Sequence, residues 1–295
     1  MNKETLTVAL ISDVFPDASH EARLLDRLRD ASSQGAELAV LPEIPLNPWS
    51  PSTKNPRDDD AEAPEGPRHQ MLARCAKQAG VALVGGAIVK SPDTGARHNT
   101  ALFFDSDGAF HGTYCKLHIP DEPGFWEIYH YDPGTEAPRP FDQLGFPFGI
   151  QICSDINRPE GSHLLGAQGA LAVVAPRATE AITYQKWRPV FIANALTSGL
   201  YVLSVNRPAP EDGVLIAGPS IAVAPNGQVL LETTDPVGVV TLERKAVEKA
   251  RIDYPGYLSV RSGLYADAWR KLTLSCQPNL DKSESISGPI DGQTA

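Results

Sequence analysis

The chain has 295 residues, 42% hydrophobic and 21% charged, the proportions of a globular protein with a buried core. Thirty-six acidic against twenty-six basic side chains leave a net charge of −10, which argues against a footprint for nucleic acid or anionic lipid. Four scattered cysteines (Cys75, Cys115, Cys153, Cys276), no signal-peptide pattern and no apolar run near the ~20 residues of a membrane span point to reduced thiols in the cytoplasm.

Leu6 to Ile11 is a short apolar run, the mark of a strand buried on both faces. Residues 20–34 then place Ala22, Leu25, Leu28 and Ala31 at helical spacing. Ala36–Leu41 reads as a second buried strand, halted by Pro42, and strand, helix and strand in such close succession is the βαβ rhythm of an α/β protein. The Pro- and Asp-rich segment from Asn47 to Arg68 reads as a surface loop, either bordering a pocket or simply solvated. A helix near Gln70–Gln78 and a strand at Val81–Val89 follow. Thr100–Phe104 and Ala109–Tyr114 flank Asp105-Ser106-Asp107-Gly108, a hairpin signal. In the second half, Phe148–Cys153 reads as a strand, Pro159–Gly166 as a helix with Pro in its first turn, and Leu171–Ala175 as a strand. Tyr184–Leu196 is an amphipathic helix pattern, before strands at Tyr201–Asn206, Leu215–Ala224, Val229–Glu232 and Val237–Leu242. Polar, aperiodic sequence from Ser275 onward predicts a flexible tail or an arm crossing to a partner subunit. No repeat or linker divides the rest, so we expect one domain over 1–274 and a tail over 275–295.

Three strand ends carry reactive side chains. Cys153 lies where a strand turns into a helix, beside backbone N–H groups that favour a thiolate or a developing oxyanion. Ligands in open α/β sheets bind at the carboxyl ends of strands. Each residue alone has a plain reading, a buried inert thiol for Cys153 and a surface charge for Glu43 or Lys116. Glu, Lys and Cys at three such ends, in that order, are less easily dismissed.

Leu41-Pro42-Glu43, Tyr114-Cys115-Lys116-Leu117-His118-Ile119-Pro120, and Gly149-Ile150-Gln151-Ile152-Cys153-Ser154-Asp155 with Pro159-Glu160 resemble the nitrilase superfamily of carbon–nitrogen hydrolases. They stand in that family's order and at its usual spacings, and the likeness runs from residue 5 to about 245. It implies a four-layer αββα sandwich with mixed-strand sheets, packed into a homodimer or larger homo-oligomer. It also implies that Cys153 attacks the electrophilic carbon with Glu43 as general base. Lys116 and the backbone N–H of Ser154 would face the oxyanion, a thioester would form, and Glu43 would activate the hydrolytic water. None of these steps calls for a metal or an organic cofactor. Many members carry a second glutamate that orients the lysine. Glu127, before the Tyr129-His130-Tyr131-Asp132-Pro133-Gly134 run, matches it better than Glu122, which reads as a loop carboxylate.

Ser154-Asp155 follows the cysteine where nitrilases proper carry Trp-Glu, which points to the amidase-like branches. His118 to Phe125 looks most like carbamoylputrescine amidases and related N-carbamoyl amidohydrolases. The arginine pair by which N-carbamoyl-D-amino-acid enzymes hold a carboxylate is replaced by Ile156 and Asn157. Substrate-binding candidates are Ser154, Asn157, Trp126 and Arg177; Arg177 could equally pair with Glu160 or Glu180. Trp187 reads first as a core or dimer-interface residue, and His118 as a hydrogen-bonded side chain under the loop rather than a base. The expected substrate is a small amide, N-carbamoyl compound or nitrile. Competing readings are acyl transfer on the same site, an ammonia-supplying domain working with a separate synthetase, and a non-catalytic binding or scaffold protein of this fold.

Overall fold

Along β1 (Thr5–Ile11), Leu6, Val8 and Leu10 enter one apolar cluster while Ala9 and Ile11 enter another, and all five are buried. A strand with two apolar faces needs a layer on each side. The computed structural model, which describes residues 2–275, supplies both.

The first sheet runs β12-β1-β2-β4-β5-β6, using β2 (Leu38–Val40), β4 (Ala82–Lys90), β5 (Arg97–Phe104), β6 (Phe110–Cys115) and β12 (Val237–Glu243); the short β3 (Ala61–Glu62) pairs with β4. The second runs β11-β10-β9-β8-β7, using β7 (Phe148–Ile150), β8 (Ala172–Arg177), β9 (Tyr201–Asn206), β10 (Ser220–Val223) and β11 (Val229–Thr233). Both are mixed: β1, β2 and β4 are mutually parallel, as are β7, β8 and β9, with antiparallel neighbours outside them. Between the sheets lies a core that includes Val8, Val40, Val84 and Phe103 from one side and Phe148, Ile150, Val174 and Leu203 from the other. On the outer face of the first sheet, α1 (Glu21–Ser33) and α2 (Pro67–Ala79) bury Leu24, Leu28, Leu72 and Cys75 against Leu83 and Phe104. On the outer face of the second, α3 (Pro159–Ala167) and α4 (Tyr184–Ser198) bury Leu165, Phe191 and Ala195 against Val173 and Val202. The result is the αββα sandwich.

One glycine is required by this closeness. A Cβ on Gly149 would come within 2.4 Å of both Leu165 methyls, so β7 and α3 approach as they do only because the side chain is absent.

The chain forms two units. The first, through Tyr257, holds both sheets, α1 to α4 and α5 (Arg244–Ile252); the second begins at Leu258 and its described element is α6 (Ser262–Ser275). The first unit thus ends earlier than the expected boundary at 274, and the expected tail with Cys276 lies outside the described residues, apart from Ser275 at the end of α6. The strand expected over Leu215–Ala224 begins only at Ser220, because Gly218 takes φ +104° and Pro219 has no N–H for a ladder. No helix among the described residues is long and apolar enough to cross a membrane.

Candidate active site

Chain segments following β2, β6 and β7 bring the reactive residues to one end of the sandwich. Leu41 and Pro42 extend β2 to Glu43, followed by Ile44 at φ +38°. Lys116 directly follows β6, and its N–H donates to Asn99 O at 2.9 Å. Cys153 opens a 3-10 turn over Cys153–Asn157 at φ +48°. A β-branched or thiol side chain in the left-handed region costs about 1–2 kcal/mol. The surrounding contacts hold two such residues beside the same site.

Glu43, Lys116 and Glu127 meet in the interior, none more than 1% exposed. Lys116 Nζ donates to Glu43 Oε1 at 2.7 Å and to the two oxygens of Glu127 at 2.8 and 2.7 Å. Burial opposes the lysine's charge, yet Glu127 and Glu43 outweigh it and hold the ammonium well above its ordinary range. Burial likewise pushes Glu127 up to about 8, against the pull of Lys116. The Cys153 thiol is raised well above its usual value by burial, with Glu43 adding to the rise and Lys116 opposing it. At neutral pH Cys153 therefore carries its proton, and Sγ points it at Ala178 O, 3.7 Å away. A protonated thiol needs a base as it attacks. Glu43 Oε2 is buried and has no hydrogen-bond partner among the described residues, so one carboxylate oxygen is available for a proton.

Three residues that sequence reasoning passed over fix this geometry. Asp155 is the first. Its carboxylate accepts from Tyr114 Oη at 2.8 Å, from the N–H groups of Leu117, His118 and Ile152 at 3.2, 2.9 and 3.1 Å, and its Oδ1 lies 2.8 Å from His118 Nδ1. It thereby ties the segment after Lys116 to the turn at Cys153, and it explains His118 as a hydrogen-bonded side chain. Asn99 Nδ2 donates to Glu43 Oε1 at 2.7 Å. Arg207, fully buried, donates to the carbonyls of Glu43, Ile44 and Asn47 at 2.8, 3.0 and 2.9 Å and is neutralised by Glu211. The signal for Asp155 was its place in the Cys-Ser-Asp stretch; for Asn99 and Arg207 the sequence offered none.

Above Cys153 opens a cavity of about 200 Å³, lined by Glu122, Phe125, Glu127, Asn157, Thr179 and Glu180 among others. Of the expected substrate-binding residues, Asn157 and Ser154 line it, although the Ser154 hydroxyl is engaged with the His118 carbonyl. Trp126 is not among the lining residues: its ring stands against Tyr129, with Lys54 Nζ 4.0 Å from its centroid. Arg177 is not among the lining residues either, though its charge lies within electrostatic range of Cys153. Its guanidinium is buried, donates to Pro219 O and lies over the Tyr184 and Phe191 rings, because β8 turns this side chain towards α4. It pairs with neither Glu160 nor Glu180. Trp187 packs against both apolar clusters of the second sheet and also lines the cavity. The 47–68 segment does not line it, but fully buried Trp49 props the 120–126 loop from behind, donating to Gly124 O at 2.8 Å and packing on Phe125. Among the described residues no group of three His, Cys, Asp or Glu is placed to hold a metal ion.

Comparison with known proteins identifies the family. The carbon–nitrogen hydrolase family model matches residues 14–252. A nitrilase from Pyrococcus abyssi is 30% identical over 231 residues, covering 77% of this chain and 84% of that protein. Omega-amidase NIT2 of Homo sapiens is 28% identical over 253 residues, covering 83% and 90%. The crystal structure of a carbon–nitrogen hydrolase from Helicobacter pylori matches with a TM-score of 0.81 at 23% identity, over 90% of this chain and 98% of that one, a likeness of fold. The chain belongs to the carbon–nitrogen hydrolase family, enzymes acting on carbon–nitrogen bonds other than peptide bonds.

Proposed function

We propose that this enzyme hydrolyses a small primary amide or N-carbamoyl compound through a thioester on Cys153, with Glu43 as general base. The observation that carries the reading is the buried Lys116 ammonium, held between Glu43 and Glu127 next to a thiol that keeps its proton. As Sγ bonds to the carbonyl carbon, its proton passes to Glu43. The negative charge on the carbonyl oxygen is met by the Lys116 ammonium and the Ser154 N–H, in the first turn of a 3-10 segment where N–H groups lack internal acceptors. Glu43 returns the proton to the leaving nitrogen, ammonia departs, and the acyl group remains on sulfur. Glu43 then takes a proton from water as its oxygen attacks the thioester, and the expelled thiolate recovers that proton.

Names of relatives support the amide chemistry: the omega-amidase of Homo sapiens is one, and an amidase from Nesterenkonia sp. shares the fold at 24% identity with a TM-score of 0.72. The cavity's volume, about 200 Å³, is below the range of sites for drug-sized ligands and suits a short acyl group. The test is ammonia release from short aliphatic amides and N-carbamoyl amines. We expect turnover by the wild-type protein and a loss of at least about a thousandfold in Cys153→Ala. Equal release by both proteins would remove Cys153 from the mechanism.

A further inference from the structure

A charge buried in a protein interior is costly unless a partner of opposite sign offsets it. Arg177, the last residue of β8, is fully buried and makes no ion pair among the described residues. One of its terminal nitrogens donates to Pro219 O, the other lies 3.5 Å from Ser204 Oγ, and Nε has no hydrogen-bond partner. Aromatic rings meet the rest of the guanidinium, with Phe191 centred 5.3 Å and Tyr184 5.8 Å from its central carbon. Glu232, which reaches Tyr184, is taken up by the Tyr184 hydroxyl at 2.8 Å and by Arg188 at 3.1 Å. Burial pulls the guanidinium down to about 10, with Cys153 pulling the other way, so it stays charged at neutral pH. Two rings and a carbonyl offset only part of the cost of leaving water. As a brace for the fold, a neutral side chain of similar size would serve at least as well.

This cation lies under the turn that carries Cys153. Ala178, the next residue along the chain, accepts the Cys153 thiol at its carbonyl oxygen, 3.7 Å from Sγ. Tyr184 and Phe191, the rings against the guanidinium, share a buried cluster with Ile156 of the Cys153–Asn157 turn. Asn194 on the same helix donates to Ile156 O at 2.9 Å and fixes α4 to that turn. The other charges facing the sulfur either oppose a thiolate or are already engaged. Glu43 and Glu127 disfavour it. Lys116 favours it, but its ammonium is shared between those two carboxylates. Asp155, in the turn itself, is occupied by Tyr114, His118 and three backbone N–H groups. Glu122 and Glu180 on the cavity wall add negative charge further out. Arg177 approaches from the opposite layer, and no carboxylate among the described residues neutralises it.

We infer that Arg177 is an uncompensated buried cation whose field stabilises negative charge on Cys153 Sγ, above all when the thiolate is expelled from the thioester. It acts through Cys153 and touches no reacting atom, so it is a positioning residue for charge on the nucleophile. The inference rests on the reading of Cys153 as that nucleophile. Attack passes the thiol proton to Glu43 and leaves sulfur neutral in the thioester. Hydrolysis breaks the carbon–sulfur bond and returns the bonding pair to sulfur, so the second half of the reaction depends on Arg177 more than the first.

The experiment compares the wild type with Arg177→Met and Arg177→Lys. Its first readout is the rate at which iodoacetamide, small and uncharged, alkylates Cys153 between about pH 7 and 9, followed by the mass of the Cys153 peptide. Removing a nearby cation raises a thiol's pKa and lowers the thiolate fraction at any pH below it. We expect alkylation to be at least about fivefold slower in Arg177→Met and within about twofold of wild type in Arg177→Lys. The second readout is ammonia release during the first turnovers of a short amide. Ammonia departs before the thioester is hydrolysed, so Arg177→Met should release a burst of about one ammonia per enzyme before a slower steady rate, with kcat and KM falling together. Its unfolding midpoint should equal or exceed that of the wild type, since a buried unpaired charge has been removed. Unchanged alkylation in Arg177→Met, or an equal loss in Arg177→Lys, overturns the inference. Failure of Arg177→Met to fold overturns it too, by making the guanidinium a structural brace. Slower alkylation in Arg177→Met beside undiminished ammonia release by Cys153→Ala would uphold the charge coupling and overturn the assignment of the nucleophile.

Discussion

Glu127 shows how one side chain's environment reaches into the stability of the protein. Burial pushes its carboxyl from 4.5 up to about 8, and Lys116 only partly offsets this. Folding therefore favours the protonated form. The contribution of that proton is complete below about 4.5, the value in an unfolded chain, and is lost as pH rises through about 8. Lys116, raised well above its ordinary value, keeps its charge throughout this window and lends it no slope. Glu127→Gln cannot ionise. Denaturation midpoints at several pH values between about 5 and 8 should therefore show the wild type losing stability relative to Glu127→Gln as the pH rises. A constant or opposite difference would mean that Glu127 is ionised across the range. Glu127 was legible as a candidate from its loop motif, as were Glu43, Lys116 and Cys153 from theirs. Asn99 and Arg207 were not, because a hydrogen bond to a carboxylate or carbonyl from a distant segment leaves no local pattern. The direction in which the long Arg177 side chain turns was not legible either, since strand position does not encode it.

Between elements, the joint that matters most is the one Asp155 makes. The segment after β6 carries Lys116 and the turn after β7 carries Cys153, and one carboxylate, 1% exposed, accepts hydrogen bonds from both. Tyr114, raised by its burial and by Asp155, remains a donor to it. Asp155→Ala would strand several buried donors, each of which costs about 1–3 kcal/mol when left unmade. We expect a loss of at least about 3 kcal/mol in denaturant unfolding and a fall in kcat larger than any change in KM, as Lys116 and Cys153 lose their common anchor. A variant of wild-type stability would show that the two segments are held by other contacts. Strands at this scale were readable because doubly buried ones are unbroken apolar runs. The 3-10 turn at Cys153 and the interrupted stretch before β10 were not, since each depends on a backbone conformation that composition does not encode. The 47–68 segment hid buried Trp49 and Asn47 inside a polar composition.

At the scale of the whole molecule, the αββα arrangement follows from the alternation within each central strand, one set of side chains meeting the opposite sheet and the other a helix layer. The sandwich brings three strand ends, remote in sequence, to one end of the molecule. Residues 43, 116 and 153 are thus assembled by the fold as a whole, and the acidic cavity above them lies on the connecting loops. Strand order was not legible, because the pairing of β12 with β1 joins the two ends of the first unit across almost its full length.

The central claim is that Cys153 carries the acyl group. Its most direct test is the mass of peptides from enzyme quenched in acid during turnover of a short amide. The account predicts an added acyl mass on the peptide containing Cys153, and none in Cys153→Ala, which also releases no ammonia. An acyl mass on any other residue, or ammonia release by Cys153→Ala at the wild-type rate, would contradict it.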